Sequence, residues 1–193
     1  MRRLLPTLVS ACAISLVAGC DGSSTTASNA QTIPGPDPKA WASDVCSLLA
    51  GAGEASARPF REAQAELQSA TEFESRRVRR LVVRAALMSA RVDDEIIAKY
   101  DAIGAPAVED GMAIQRTLRA NLVRIRDLAL DARERARTLP VDTTEHFLAA
   151  LKVFSMDFIE RSRDLFAGTS NLERFDSPAL KEAIENDPTC KTL

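Results

Sequence analysis

From Val78 to Leu165 apolar side chains return every three or four residues, in three stretches separated at Gly104-Ala105-Pro106 and around Pro140. That spacing marks one face of a helix with 3.6 residues per turn. No segment alternates with the period of two and the β-branched enrichment that a half-buried strand needs. A chain patterned in this way can bury its apolar stripes only by laying helices against one another. The reading is therefore all-α.

Local signals divide the pattern into elements. Asp37-Pro38 is a helix start, with Asp as N-cap and Pro at the first helical position. Trp41, Val45, Leu48 and Leu49 follow at helical spacing. Gly51, Gly53 and Pro59 weaken the middle, so 38–69 reads as one imperfect helix or two shorter ones. Thr71 to Glu74 has the form of a capping box before a second helix. Its stripe is Val78, Leu81, Ala85, Met88, Val92, Ile96 and Ile103, with Gly104 as C-cap. Pro106 can open the third helix, whose stripe runs from Val108 and Met112 through Leu118, Leu122, Ile125 and Ala129 to Leu139, close to a coiled-coil seam. Asp142 to Glu145 reads as a second box, with Asp142 as cap. Phe147, Leu151, Phe154, Phe158 and Leu165 then face inward on a fourth helix ending at Gly168. Ser177-Pro178 begins a short last helix to about Asn186. Four helices with short connections favour an up-down four-helix bundle, followed by the short C-terminal helix.

The N-terminus has a different character. Arg2 and Arg3 precede an apolar run from Leu4 to Val17, too short for an ordinary spanning helix. A positive start, a short apolar run and small residues at its end mark a secretory signal. The run closes on Val17-Ala18-Gly19-Cys20, which resembles the lipobox of bacterial lipoproteins. That resemblance implies cleavage before Cys20 and acylation of its thiol, with palmitate-type chains holding the mature protein on a membrane. Two acyl chains anchor stably where one barely does. The expected organisation is a signal peptide at 1–19, a lipidated Cys20 with a flexible linker to 36, and a helical domain at 37–193. The linker is rich in Ser, Thr, Asn, Gly and Pro. As a random coil it spans roughly 22 Å. The basic residues are mostly Arg: only Lys39, Lys99, Lys152, Lys181 and Lys191 are lysines among 25. With the lipobox and the abundance of Ala, this resembles the small secreted lipoproteins of actinobacteria. The implied location is the extracytoplasmic face of the cell membrane.

Four cysteines are present. Cys12 leaves with the signal and Cys20 carries lipid, so Cys46 and Cys190 remain. In an exported protein a remaining even pair is expected to form a disulfide, here tying the C-terminal tail to the first helix. Two free thiols serving redox or metal chemistry are the alternative.

Catalytic and metal motifs are sparse. His146 is the only His, in the first turn of a helix beside Phe147, where a partly exposed structural role is usual. A di-iron bundle needs Glu-x-x-His on two helices, whereas the residue three before His146 is Thr143 and no second His exists. Asp93-Asp94-Glu95 and the pair Asp127 and Asp131 lie mid-helix, which suits a solvated, Arg-paired face better than a calcium loop. No Gly-rich phosphate loop is present. The reading assigns no catalytic residue, metal or cofactor.

Arginine stripes are the conspicuous surface feature. Arg77, Arg80 and Arg84 share one face of the second helix, and Arg116, Arg119 and Arg126 one face of the third. An anionic partner, such as an envelope protein or cell-wall polymer, is the functional reading. Salt-bridged solvent faces, for example Glu72 with Arg76 and Asp131 with Arg135, are the plainer one. The formal charge of −2 falls to −4 once Arg2 and Arg3 leave with the signal, which takes no acidic residue with it. That balance argues against nucleic acid. The expected function is a non-enzymatic binding or scaffolding module at the envelope. Its alternative is a carrier that holds a small apolar or anionic ligand between helices, since small residues at the seams can leave a cavity. A cavity above roughly 300 Å³ with polar groups converging on it favours the carrier.

Overall fold

The computed structural model describes residues 34–193 apart from 71, 171, 173 and 174. The lipobox, most of the linker and Thr71 lie outside the described residues. Five helices follow in order: α1 Pro38–Gln68, α2 Ser75–Ile103, α3 Gly111–Arg137, α4 Thr144–Ser170 and α5 Pro178–Asn186, with a 3₁₀ turn at Cys190–Thr192. There is no strand among the described residues.

Cross-helix bonds give the directions. Glu66 of α1 pairs with Arg84 at 2.6 Å, while Trp41 at the other end of α1 bonds Gly104. Arg119 of α3 pairs with Asp101 at 2.9 Å, while Arg79 near the start of α2 reaches the Leu139 carbonyl beyond the end of α3. Asn121 of α3 bonds the Gly168 carbonyl at 3.3 Å, and Arg161 of α4 pairs with Asp131 at 2.8 Å. In each pair, rising numbers on one helix meet falling numbers on the next. The bundle is therefore up-down-up-down, as the sequence predicts.

Several helix ends match the local signals. Asp37 caps α1 by accepting from the Lys39 N–H at 2.9 Å, and Ser177 caps α5 through the Leu180 N–H. Gly104 ends α2 with φ +81°, a conformation that disfavours a side chain. Despite Gly51, Gly53 and Pro59, α1 is one continuous helix.

Three other starts differ from the sequence reading. Glu74, not Thr71, is the N-cap of α2, and its side chain makes no capping bond. Glu72 therefore precedes the helix and forms no ion pair with Arg76 among the described residues. α3 begins at Gly111 rather than Pro106. Pro106 and Val108 are buried in a turn before the helix, where the Val108 N–H bonds the Pro106 carbonyl at 2.8 Å. Tertiary burial of Val108 holds this segment out of the helix. Thr143 caps α4, its hydroxyl accepting from the His146 N–H at 3.2 Å, while the Asp142 carboxylate turns to the His146 ring. The helix then runs through Gly168 to Ser170.

The linker boundary also shifts. The Pro36 carbonyl accepts from the Ala107 N–H at 2.9 Å, so residues assigned to the tether already belong to the folded domain.

The core has two packed ends. One cluster joins Trp41, Val45, Tyr100, Leu118 and Leu172 with Leu180 and Ile184, so α5 seals the end where the chain enters. The other joins Val78, Ala86, Ala132, Ala136, Phe147 and Phe154. Met88 and Met112, placed on the buried stripes by spacing, are 42% and 59% exposed. The buried face of α2 passes instead through Ala85, Ser89, Asp93 and Ile96.

Candidate functional site

Three edges of the bundle, α1–α2, α2–α3 and α3–α4, are closely packed, but the closing edge between α4 and α1 is not. There the helices meet through long side chains, and the Phe60 and Phe158 rings sit 5.2 Å apart. The gap has a sequence cause. At this level α1 carries Gly53, Ser56 and Ala57, and α4 carries Ser155 and Ser162, so there is too little side-chain volume to fill it. A cavity of about 440 Å³ results. Phe60, Phe154, Phe158, Ile125 and Leu128 supply apolar walls. Among the described residues no Asp, Glu, Lys or Arg lines it.

Polar groups enter at a few points. The Ser162 hydroxyl donates to the Phe158 carbonyl at 2.7 Å. The Ser56 hydroxyl donates to Oδ1 of Asp93 on α2. Asp93 is only 3% exposed, and among the described residues no group hydrogen-bonds its Oδ2. A gap of about 10 Å³ bordered by Asp93, Ser56, Ile125 and Phe166 adjoins the cavity, and the last three also line it.

Burial pushes the Asp93 carboxyl up to about 6. The Ser56 hydrogen bond opposes that rise, the neighbouring Asp94 adds to it, and Arg126 lowers it slightly. Arg126 is already committed to Asp127 at 2.6 Å and Asp94 at 3.4 Å. The expectation of a solvated, Arg-paired Asp93 is therefore corrected: of the Asp93-Asp94-Glu95 run, Asp93 points into the core. Its spacing, eight residues after Ala85, places it on the buried stripe, but its polarity argues against that place and the sequence reading ran through Met88 and Val92 instead.

The arginine faces are largely neutralised. Arg77 and Arg84 converge on Glu66, at 3.6 and 2.6 Å, while Arg119 pairs with Asp101 and Arg126 with Asp94 and Asp127. Arg80 and Arg116 form no ion pair among the described residues. Asp131 and Arg135 do meet, at 3.8 Å, within a network that also takes in Asp157 and Arg161 and fastens α4 to α3.

His146 Nδ1 lies 3.1 Å from both Asp142 oxygens. This contact holds the Asp142 carboxyl below its usual range. The pair is solvent-exposed at the start of α4 and lines none of the cavities described.

Cys46 and Cys190 are joined through sulfur, with Cα atoms 5.0 Å apart. Among the described residues no three His, Cys, Asp or Glu side chains are grouped to hold a metal ion, and no helix is long and apolar enough to cross a membrane. No family model matches the chain, and neither a curated protein nor a solved structure does.

Proposed function

We propose that this protein is a lipid-anchored, extracytoplasmic binding protein that carries a small apolar molecule in the cavity between α1 and α4. The observation that carries this reading is the 440 Å³ space with aromatic walls on the one loosely packed edge of the bundle. It lies within the range of small-molecule sites, roughly 300–1,000 Å³. A scaffold needs no such space, and an unfilled apolar cavity lowers the stability of a bundle. The absence of charge from the lining favours the apolar ligand over the anionic one, since an anion would meet no cation there.

Binding without chemistry also fits the site. Ser56 touches a carboxylate, but both residues sit inside long helices whose backbone N–H groups are bonded along the helix. No pair of free N–H groups is left to stabilise an oxyanion. Lipidation at Cys20 rests on the lipobox resemblance, and the Cys46–Cys190 bond suits an oxidising compartment outside the cytosol.

Filling the cavity tests the carrier. Gly53 lines it, and a Cβ there would stand 4.0 Å from the Phe166 ring, an ordinary contact. Gly53→Leu should therefore fold, helped by better helix propensity. The purified parent domain should bind the neutral dye Nile red with a blue-shifted, brighter emission. G53L should bind it at least about tenfold more weakly at unchanged helicity. Equal dye binding by parent and variant would remove the cavity from the function.

A further inference from the structure

We propose that the cavity selects molecules whose polar end is a hydrogen-bond donor, an amine or a hydroxyl on an apolar body, through Ser56 backed by Asp93, and that it discriminates against carboxylates. The inference rests on the carrier reading and adds the ligand's head group.

A hydroxyl has one hydrogen and two lone pairs. Ser56 gives its hydrogen to Asp93, and Ser162 gives its hydrogen to the Phe158 carbonyl. Both line the cavity, so what these two can show a ligand is lone pairs, while the donors of the lining belong to Gln64 and Ser155, away from Asp93 in the contacts described. Behind Ser56 stands a carboxyl group 3% exposed, with one oxygen that no donor among the described residues satisfies, beside a gap bordered by residues of the cavity wall. A buried polar atom left unpaired costs roughly 1–3 kcal/mol, more if it is charged. A ligand N–H or O–H reaching Ser56, or passing it toward Oδ2, lowers that cost. At the Ser56 end a carboxylate brings only acceptors to acceptors, and brings negative charge toward Asp93 and its neighbour Asp94. Arg126 on α3, the nearby cation, is held by Asp94 and Asp127 and does not line the cavity.

The test uses Nile red displacement from the purified protein near neutral pH, with three probes that share a chain and differ in the head: decylamine, decanol and decanoate. Decylamine and decanol should displace the dye at roughly tenfold lower concentration than decanoate. Ser56→Ala should erase that preference. Asp93→Asn, which keeps an acceptor for the Ser56 hydroxyl, should weaken decylamine by roughly tenfold relative to the parent. Decanoate displacing as well as the other two, or full discrimination surviving in both variants, overturns the proposal and leaves the carrier standing. A parent that fails to bind Nile red overturns both.

Discussion

The indole Nε1–H of Trp41 donates to the carbonyl of Gly104 at 3.0 Å, tying the first turn of α1 to the corner where α2 ends. Trp41 is fully buried, and Gly104 holds a positive φ that leaves its carbonyl turned toward the indole. The same corner receives the incoming chain, through the Ala107 N–H bonded to the Pro36 carbonyl. One side chain thus fixes both the start of the bundle and its first corner. Trp41→Phe keeps most of the apolar area but leaves that carbonyl unpaired, which costs about 1–3 kcal/mol. Trp41→Ala opens a cavity as well and should cost about 3–5 kcal/mol. Urea titration followed by far-UV circular dichroism reads both, and equal stability of W41F and parent would show that the bond carries no weight.

Two glycines in helices should respond with opposite signs. Gly51 is exposed in α1, and a Cβ there meets nothing within 4 Å. Gly51→Ala should stabilise by about 0.5–1 kcal/mol through helix propensity alone. A Cβ on Gly111 would lie 2.0 Å from the Pro106 carbonyl oxygen, which is backbone and cannot swing aside. Gly111→Ala must shift the whole α2–α3 turn and should destabilise by about 1–3 kcal/mol. Thermal melts of the two variants beside the parent check the signs.

That contrast shows what local sequence carries and what it does not. Asp37-Pro38, Gly104 and Ser177-Pro178 fix helix ends through their own backbone chemistry, and each stands where the pattern places it. The start of α3 is decided elsewhere: Val108 is drawn into the core beside Ile114 and Leu118, so the turn after Pro106 cannot coil, whatever its propensity. Met88 and Met112 fit the apolar spacing but lie on the edge of the stripe, and Ser89 and Asp93 hold the buried positions. A rule that sorts residues by polarity cannot see a carboxylate in a core. The cavity is the intermediate case. Gly53, Ser56 and Ala57 are visibly small, but only the packing of α4 shows that no bulky partner fills the space they leave.

Cys46 and Cys190 close a loop across a separation of 144 residues. The bond pins the C-terminal 3₁₀ turn to α1, beside the cluster that Leu180 and Ile184 complete. In the chain-entropy view such a loop contributes up to about 5 kcal/mol. Reduction, or Cys46→Ser with Cys190→Ser, should lower the urea midpoint accordingly. The unreduced protein should yield one bridged peptide pair by mass spectrometry. An unchanged midpoint on reduction would mean that the tail holds by packing alone.

Lipid anchoring has a direct check. Cys20→Ala should release the protein from the membrane fraction and from the detergent phase, because no helix among the described residues can substitute for the acyl chains. The variant domain should keep its helicity and its dye binding, as the described fold begins beyond that position. Detergent partitioning equal to the parent would refute the lipobox reading.

Asp93 should give stability a pH dependence of uncommon sign. Burial raises its carboxyl from 3.8 to about 6, so the folded chain holds a proton that the unfolded chain has already released. The contribution is fully present below the unfolded value and is lost as pH rises through the folded one. Across that window Asp93 alone removes about 3 kcal/mol. Exposed carboxylates act in the opposite direction: the Asp157 carboxyl, held low by the Arg135 hydrogen bond, contributes above the ordinary carboxylate range and loses its contribution as pH falls through its lowered value. The two effects are separable by mutation. Asp93→Asn cannot titrate, so its stability relative to the parent should rise between about pH 4 and pH 7, levelling off above the raised value. Urea denaturation of parent and D93N at several pH values measures the difference directly. A difference independent of pH would place the Asp93 carboxyl at an ordinary value, and with it an environment open to water.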